Sequence, residues 1–473
     1  MSDTISGQTY LMSSKLINDK IYLYVYSNGR LHFNNEISDE NKKSISYMVF
    51  DNNLNQLNLT YNYYSNIISN NINIVSDDNK NTFHYSSNIG SNTLSSEITF
   101  KNNTNISIIP CTKNGCIFKY NENYELISAI TYHRNPSSTI YTEVNVDSVL
   151  CVKNNICVLV SAQRDYFITV GNNNSTNILN DGINSDNYTI IKYAEDLTTI
   201  LWYNKFYTNT NLGGKFSLNK HIIKDTNDEN IYVSSCITNE NLWCINHNLN
   251  TINILSDNTV KDLFIIHKIN NQTGDIIFSK NIFIIDSDFR EGNESTSSIQ
   301  KMVYDNDYIY ILCRTIGYFK IDDIVYGTND NTVYKNYIIK MNNNGIVSWV
   351  SKYSDDSNCI MTDIVSYDGK YGKFIYLSGY YTNSTKIKSY NLNSSGIGSF
   401  IGKINILDGS MKNIITKNST NTIKIKSLIV KDDSLFISGD FIGSIYIGGR
   451  NINNIKHCEH SEIFLEEIKI NTF

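Results

Sequence analysis

One short strand pattern recurs along the chain, and its number of copies constrains the fold more than any single residue does. "FIYLSGYYTN" (374–383) and "LFISGDFIGS" (435–444) are two of these copies. Five more precede them: "IYLYVYSNG", "TFHYSSNIG", "ICVLVSAQ", "IYVSSCIT" and "IYILCRTIG". The second residue of each apolar pair forms a column with successive spacings of 61, 74, 75, 78, 66 and 60 residues. The column consists of Tyr22, Phe83, Cys157, Tyr232, Tyr310, Tyr376 and Phe436, and six of these seven residues are aromatic.

Three further strand patterns accompany each copy. The next strand carries a lysine in five repeats, whereas "YMVFD" (47–51) and "FLEEI" (464–468) are divergent. Since successive side chains of a strand point to opposite faces, a lysine between core-facing residues is predicted to be a solvated side chain. These lysines are Lys119, Lys192, Lys268, Lys340 and Lys403. The strand after that holds Trp202, Phe278 or Trp349, which we expect to pack between neighbouring sheets. A fourth strand precedes each copy of the first pattern and ends in an Asp turn, as in "MTDIVSYDG".

Four strands in each of seven repeats predict an all-β fold with one particular architecture. A four-stranded antiparallel sheet cannot bury both faces alone, but sheets stacked around an axis cover each other and leave only short edges. We therefore predict a single seven-bladed β-propeller domain over residues 1–473. The predicted blades are 9–66, 70–134, 143–208, 223–283, 298–354, 361–416 and 424–473.

The two ends of the chain predict how the ring closes. The chain begins with a predicted inner strand, "TYLMSSKLI", and ends after the third strand of the last repeat, "FLEEIKI". The outermost strand of the last blade is then missing, and an open seam would expose unpaired backbone. We expect residues 1–8 to complete that blade, with Asp3 to Ser6 as its strand.

The order of these patterns resembles a known repeat family. An Asp turn, "IYLSGYY", a long Gly/Asn loop, "FIGKI" and then "GxxxW" look like the SBBP-type seven-bladed β-propeller repeats found in many bacterial proteins. The similarity is clearest over residues 300–473, where Gly379 and Gly439 occupy the glycine position of the family. The earlier repeats carry other residues at that position: Val25, Ser86, Val160, Ser235 and Cys313. The resemblance implies a non-catalytic scaffold at a cell or particle surface and brings no catalytic residues with it.

Composition and charge limit the classes of partner and the cellular location that we expect. Charged residues are only 18% and the net charge is −6, so electrostatics give no reason to expect nucleic acid or an anionic membrane. No apolar stretch has the length of a membrane span, and the N-terminus lacks the basic and apolar regions of a signal peptide. We expect a cytoplasmic protein with its nine cysteines reduced, several of them in the core. The richness in Asn, Ile, Tyr and Lys is typical of AT-rich genomes and resembles giant DNA virus proteins, so packaging in or on a virus particle is one expectation.

Few residues suggest chemistry. No nucleotide-binding, zinc-protease or nucleophile-elbow motif occurs in a suitable context, so no catalytic residue and no cofactor are expected. The sharpest cluster is "HCEH", in which His457, Cys458 and His460 are metal-ligand types. Four consecutive residues cannot easily close a tetrahedron, however, and a polar surface loop is the alternative.

Two cysteine groups are weaker candidates. Cys236 and Cys244 lie near His247 in sequence, but the strand position of Cys236 favours core packing. Cys111 and Cys116 flank the probable turn "TKNG" and could form a hairpin disulfide if oxidised.

Two functional classes follow from this pattern. The first is a non-enzymatic propeller that mediates protein–protein interaction or serves as a structural, virion-associated component. The second is a carbohydrate-binding or carbohydrate-active propeller, which would need carboxylates such as Asp363 and Glu143 to converge from several blades. We favour the first class, with a protein as partner and a glycan as the alternative.

Overall fold

The structure is a computed structural model. It describes residues 8–17, 19–28, 32–33, 36–37, 43–51, 53–64, 71–77, 81–89, 96–101, 106–111, 114–121, 126–134, 144–162, 166–170, 174–177, 187–208, 221–238, 242–246, 251–255, 262–285, 297–327, 333–447, 450–453 and 461–473.

The described elements are strands, apart from one short 3₁₀ helix, Ile470–Thr472. The first stretch comprises β1 (Gln8–Ile17), β2 (Lys20–Asn28), the short hairpin β3 (His32–Phe33) and β4 (Glu36–Ile37), β5 (Lys43–Phe50) and β6 (Gln56–Tyr64). Next come β7 (Asn71–Ser76), β8 (Thr82–Ile89), the hairpin β9 (Ser96–Lys101) and β10 (Ile106–Cys111), β11 (Asn114–Tyr120) and β12 (Leu126–Arg134). The third stretch holds β13 (Val144–Val152), β14 (Asn155–Ala162), the hairpin β15 (Tyr166–Val170) and β16 (Asn174–Asn177), β17 (Asn187–Tyr193) and β18 (Ile200–Thr208).

The second half of the chain continues the same order. It begins with β19 (His221–Lys224), β20 (Asn230–Thr238), the hairpin β21 (Leu242–Asn246) and β22 (Thr251–Leu255), β23 (Asp262–Asn270) and β24 (Ile276–Ile285). Then follow β25 (Ser298–Asp305), β26 (Tyr308–Ile316), the hairpin β27 (Tyr318–Ile321) and β28 (Ile324–Tyr326), β29 (Tyr334–Asn342) and β30 (Val347–Ser354). The last strands are β31 (Cys359–Gly369), β32 (Gly372–Ile387), β33 (Tyr390–Asn405), β34 (Met411–Lys417), β35 (Thr422–Lys431), β36 (Ser434–Ile442), β37 (Ser444–Ile447), β38 (Arg450–Asn453) and β39 (Glu462–Lys469).

Each of five separate sheets contains a four-stranded antiparallel meander, which is the repeating blade. The blades are β1-β2-β5-β6, β7-β8-β11-β12, β13-β14-β17-β18, β19-β20-β23-β24 and β25-β26-β29-β30. Each begins with an inner strand that contacts the inner strand of a neighbouring sheet. The all-β propeller with four-stranded antiparallel blades is therefore confirmed.

The structure contains five separate blades rather than the predicted seven. The strands from β31 onward form one seven-stranded sheet in the order β31-β32-β33-β35-β36-β39, with β34 paired to β33. The join between β33 and β35 is a single parallel pair, Ile397 with Thr422. The amide of Ile397 also donates to the carbonyl of Asn421 at 3.1 Å. This backbone pairing merges the last two repeats into one sheet, which a count of repeats cannot reveal.

A hairpin from the next blade along the chain extends each of the first four blades to six strands. The hairpin β9–β10 pairs with β6, β15–β16 with β12, β21–β22 with β18, and β27–β28 with β24. In each case the hairpin lies between the second and third strands of its own blade in sequence. The outer edge of one blade is thus covered by its neighbour, which satisfies backbone groups that an edge strand would otherwise expose.

The core lies between blades and uses the residues of the repeated pattern. The column of six aromatic residues and one cysteine is buried, with at most 5% of any member exposed. Trp202 is likewise buried, as predicted, and packs with residues of the following blade, such as Ile231 and Ile265. Side chains from two blades therefore share each core, since neither sheet is thick enough to bury its own faces.

Glycines at positive φ let the turn of one blade approach the aromatic residue of the blade before it. A Cβ on Gly274 would lie 2.8 Å from Trp202, and one on Gly409 would lie 2.9 Å from Trp349. Both glycines have left-handed backbone, with φ of 77° and 68°, a conformation that glycine adopts without strain. The predicted packing role of these two tryptophans is confirmed by this contact.

The first described strand contacts the last sheet. The ammonium of Lys426 donates to the carbonyl of Leu11 at 3.0 Å, and the hydroxyls of Ser438 and Ser14 lie 2.8 Å apart. Residues 1–7, which include the predicted closing strand, lie outside the described residues.

Candidate functional site

A β-bulge recurs where the fourth strand of each blade begins. In β18, Lys192 pairs with Trp202 and Tyr193 with Ile200, which leaves Leu201 unpaired between them. The same register shift leaves one residue unpaired in five other strands. These residues are Leu57, Ile127, Ile277, Ser348 and Lys412. A bulge inserts one extra residue and redirects its side chain, so each of these positions projects away from the core.

In four successive blades the bulged residue is a large aliphatic side chain exposed to solvent. In the next two repeats, where the bulge holds Ser348 and Lys412, an exposed aliphatic residue lies in the preceding turn instead. We call the six side chains the apolar collar; they are Leu57, Ile127, Leu201, Ile277, Ile346 and Leu407, each 44–78% exposed. Because strand direction alternates within a blade, the turns between third and fourth strands all lie at one end of the propeller. The collar therefore runs along one rim.

The lysine column was predicted to be solvated, and this prediction is wrong. Four of its members are at most 9% exposed, and Lys403 is partly buried. Each ammonium donates to a backbone oxygen of a following repeat, at 2.6–3.3 Å. Four of these oxygens lie in turns and the fifth follows the 3₁₀ helix: Lys119 donates to Glu195, Lys192 to Asn271, Lys268 to Asn343, Lys340 to Ile406 and Lys403 to Phe473. In a propeller both faces of a blade are covered by neighbouring blades. The face that carries the lysine therefore packs against the next blade and is not exposed to solvent.

Aromatic rings beside four of these lysines help to explain how the lysines are tolerated in the interior. Lys340 pairs across the strands with Tyr310, and its ammonium lies 3.9 Å from the ring centroid of Tyr308. Burial lowers the pKa of Lys340, while the ring faces and the carbonyl of Ile406 stabilise the charged form. In the last repeat Glu467 pairs with Phe436, and in the first Val49 pairs with Tyr22. The hydrogen bond from this lysine to a following repeat therefore occurs in the five repeats that carry the lysine, whereas the first and last repeats have Val49 and Glu467 at that position.

A second candidate is a group of titratable side chains on four inner strands. Lys15 lies on β1, His221 on β19, Lys301 on β25 and Asp363 on β31. Lys301 and Asp363 each directly follow a bulge in their strand, and the ammonium of Lys301 lies 3.1 Å from Asp363 Oδ1. We call these four residues the axial cluster, since inner strands border the axis of the propeller.

Hydrogen bonds fix two members of the axial cluster. Asp363 accepts from the backbone amides of Ile364 and Leu428, both at 2.9 Å, so its carboxylate joins β31 to β35. His221 Nε2 lies 3.1 Å from the carbonyl of Ile299. The carboxylate is thus held in place by groups other than Lys301.

The charges of the cluster act on one another. The charge of Lys301, together with burial, lowers the pKa of Lys15 to about 8, although Asp363 opposes the shift. Burial, followed by the charge of Lys301, lowers the pKa of His221 to about 4. At neutral pH the histidine is therefore uncharged, and the carboxylate of Asp363 counteracts the effect of Lys301 on both pKa values.

Most of the remaining predicted site residues lie outside the described part of the chain. His457, Cys458 and His460 lie outside the described residues, as do His247 and Glu143. Within the described ranges, no group of three His, Cys, Asp or Glu side chains could hold a metal ion. Asp363, predicted as a carboxylate of a sugar site, is only 3% exposed and is held by the backbone amides.

The cysteines behave as core residues wherever they are described. Cys236 and Cys244 are fully buried in the cores of different blade pairs, which confirms the predicted packing role of Cys236. Burial raises the pKa of Cys244 to about 12, so its thiol stays protonated. The side chain of Cys111 is outside the described part of the chain, and its disulfide with Cys116 stays a prediction.

No helix in the described ranges has the length and hydropathy needed to cross a bilayer.

Comparison with known proteins gives distant structural similarity. No family model matches the chain, and no curated protein matches its sequence, so the resemblance to SBBP-type repeats stays a prediction. A solved structure of Drosophila Plexin A in complex with Semaphorin 1b is 8% identical, with 91% of this chain and 83% of that chain covered and a TM-score of 0.38. Drosophila Semaphorin 2a is also 8% identical, with 98% of this chain and 74% of that chain covered and a TM-score of 0.39.

Proposed function

We propose that this protein is a non-enzymatic β-propeller scaffold that binds a protein partner through the apolar collar. The observation that carries the proposal is the repeated placement of an exposed aliphatic side chain at the start of the fourth strand in successive blades. Single exposed aliphatic residues are ordinary on protein surfaces. Their recurrence at one rim is a different matter, because exposed apolar area in one region marks interaction surfaces.

The chemistry of the collar favours a protein over a glycan. Aliphatic side chains offer no hydrogen bonds to sugar hydroxyls, whereas they bury well against apolar residues of another protein. The net charge of −6 also argues against nucleic acid. The buried charges serve the fold itself, since the column lysines bind carbonyls and Asp363 binds backbone amides.

A comparison of two double variants tests this proposal. Leu201→Ser with Ile277→Ser removes two collar residues, which are 44% and 50% exposed. Ile324→Ser with Val325→Ser removes two residues of the β27–β28 hairpin outside the collar, which are 57% and 55% exposed. Both variants and the wild type, immobilised, are used to capture proteins from the native source, followed by mass spectrometry. The purified candidate is then titrated against all three by calorimetry.

The proposal predicts a partner whose affinity falls at least about tenfold in the collar variant and is unchanged in the hairpin variant. Equal affinity for all three proteins would overturn it. Strong binding to one sugar family on a glycan array, kept by the collar variant, would support the carbohydrate-binding alternative instead.

We also propose that the seven-stranded sheet corresponds to two blades, which would complete the predicted set of seven with the predicted boundaries. The single parallel pair that joins β33 to β35 supports this division. The contacts between inner strands support it too, since they run in a closed series: β1–β7, β7–β13, β13–β19, β19–β25, β25–β31, β31–β35 and β35–β1. An experimental density map with another number of blades would contradict it.

A further inference from the structure

The turns that lead into the apolar collar also carry carboxylates. Between the third and fourth strands of the first six repeats, the chain has seven Asp or Glu residues and neither Lys nor Arg. These segments are 51–55, 121–125, 194–199, 271–275, 343–346 and 406–410. Asp275 lies two residues before Ile277, and Asp408 directly follows Leu407; both Asp side chains are exposed. A molecule that covers the collar therefore also meets acidic side chains.

Hydrogen bonds within the turns hold two of these carboxylates in place and keep them ionised. The exposed Asp196 accepts from the backbone amides of Thr198 and Thr199, both at 2.9 Å. Asp408 accepts from the backbone amide of Ser410 at 2.9 Å. These bonds hold the pKa of both Asp side chains below the usual range of a carboxyl group. Within the described residues neither carboxylate forms an ion pair with Lys or Arg, so both are accessible to a cation of another molecule.

The positive charges near the collar are mostly out of reach of a partner. The column lysines lie beneath these turns, but four of them are at most 9% exposed, and all five already donate to backbone oxygens. Lys412, at the bulge of the sixth repeat, is an exposed exception. The turns between first and second strands, at the same end, carry exposed charges of both signs, such as Lys153 and Glu229. Next to the collar itself, the accessible charge is therefore mainly negative.

We propose that the protein partner of the apolar collar has a basic surface, in which aliphatic side chains that pack on the collar are flanked by Lys or Arg side chains that pair with the turn carboxylates. This partner presupposes the collar of the proposed function. The aliphatic contacts supply the buried apolar area. The carboxylates supply selectivity, because an acidic partner would place like charges beside them.

Binding of three defined peptides measures the preference for basic partners. The peptides share one amphipathic design with a leucine face and carry Lys, Glu or Gln on the polar face. By fluorescence anisotropy at about 0.05 M salt, the Lys peptide should bind the wild type at least about tenfold more tightly than the Glu peptide, and about 0.5 M salt should reduce this difference. The preference is overturned if the Lys peptide does not bind more tightly than the Glu peptide, including the case in which neither binds.

Two double variants locate the charges responsible. Asp275→Asn with Asp408→Asn neutralises two carboxylates beside the collar and keeps an oxygen for the hydrogen bonds of the turns. Asp322→Asn with Asp323→Asn neutralises two exposed carboxylates of the β27–β28 hairpin and changes the net charge by the same amount. The affinity for the Lys peptide should fall about threefold or more in the turn variant and stay unchanged in the hairpin variant. Equal losses in the two variants, or no loss in the turn variant, would overturn the basic partner.

The collar variant Leu201→Ser with Ile277→Ser separates this inference from the proposed function. It should weaken binding of the Lys peptide at both salt concentrations, because it removes apolar contacts that salt does not screen. If the collar variant loses affinity but the turn variant does not, the basic partner is wrong and the proposed function is supported. If the collar variant binds the Lys peptide as tightly as the wild type does, both the collar and its basic partner are contradicted.

Discussion

At the residue scale, His267 shows how a polar group is accommodated in the core. Its ring is fully buried, stacks on Phe206 with centroids 4.5 Å apart, and lies 2.8 Å from both the Tyr188 hydroxyl and the Ser279 hydroxyl. Both ring nitrogens therefore have partners while the histidine is neutral. Burial lowers the pKa of His267 to about 3, so the folded protein resists its protonation.

This histidine makes stability depend on pH in a definite direction. Its folded-state pKa lies below the unfolded value near 6.5, so the unfolded chain takes up the proton first as pH falls. The contribution is fully present above about pH 6.5 and is lost progressively toward pH 3. We expect His267 to account for about 2 kcal/mol of lost unfolding free energy between pH 7.5 and pH 5.

Urea unfolding at the two pH values, in wild type and His267→Gln, measures this effect. The glutamine stays neutral and can bond to the same hydroxyls, so the variant should lose less stability on acidification. The same pH dependence in both proteins would show that the histidine is not responsible.

At the scale of elements, the lysine of the third strand connects each blade that carries it to the next. Lys340→Met keeps the aliphatic stem but removes the hydrogen bond to the Ile406 carbonyl and the contact with the Tyr308 ring. We expect the free energy of unfolding to fall by about 1–3 kcal/mol. The same substitution at the exposed Lys412 should change it by less than about 0.5 kcal/mol. Similar effects at the two positions would mean that the buried contact adds nothing.

The turn glycines should be as sensitive as the lysines. Gly274→Ala places a methyl group 2.8 Å from Trp202 at a φ of 77°, so both a steric clash and backbone strain oppose it. The expected destabilisation is about 1–3 kcal/mol. Gln272→Ala, at an exposed position of the same turn, is the matched control, and thermal unfolding of both variants is the measurement. A Gly274→Ala protein as stable as this control would contradict the tight approach of the two blades.

The aromatic column and the lysine column show what strand periodicity can and cannot predict. The alternation of apolar residues correctly assigned the aromatic column and Trp202 to the core, because side chains that point toward a neighbouring sheet pack in an apolar environment. The same alternation wrongly assigned Lys340 to solvent. Its environment depends on the next blade, and a period of two residues carries no information about what covers the second face.

At the scale of the whole molecule, closure of the ring remains a prediction with a direct test. The first strand β1 contacts β35, β36 and β39, and Lys426 and Ser438 bond to it. If residues 1–8 complete the last blade, deletion of these residues should lower the melting temperature by several degrees, because the outer edge of β39 loses its partner. Thermal unfolding of the truncated chain against the full chain, with replacement of residues 1–8 by a Gly/Ser segment as the control for length, measures this. An unchanged melting temperature would rule out this form of closure.

The sequence by itself determined the class of fold and the repeating four-stranded blade, because each strand carries its own β-branched and aromatic pattern and its own turn residues. Only the tertiary structure decided which edges pair: the hairpins that extend four blades, and the Ile397–Thr422 pair that merges the last two repeats. It also decided that the column lysines are buried and that Lys301 on β25 pairs with Asp363 on β31. Backbone pairing and charge proximity depend on distances between residues far apart in the chain, and no local pattern encodes those distances.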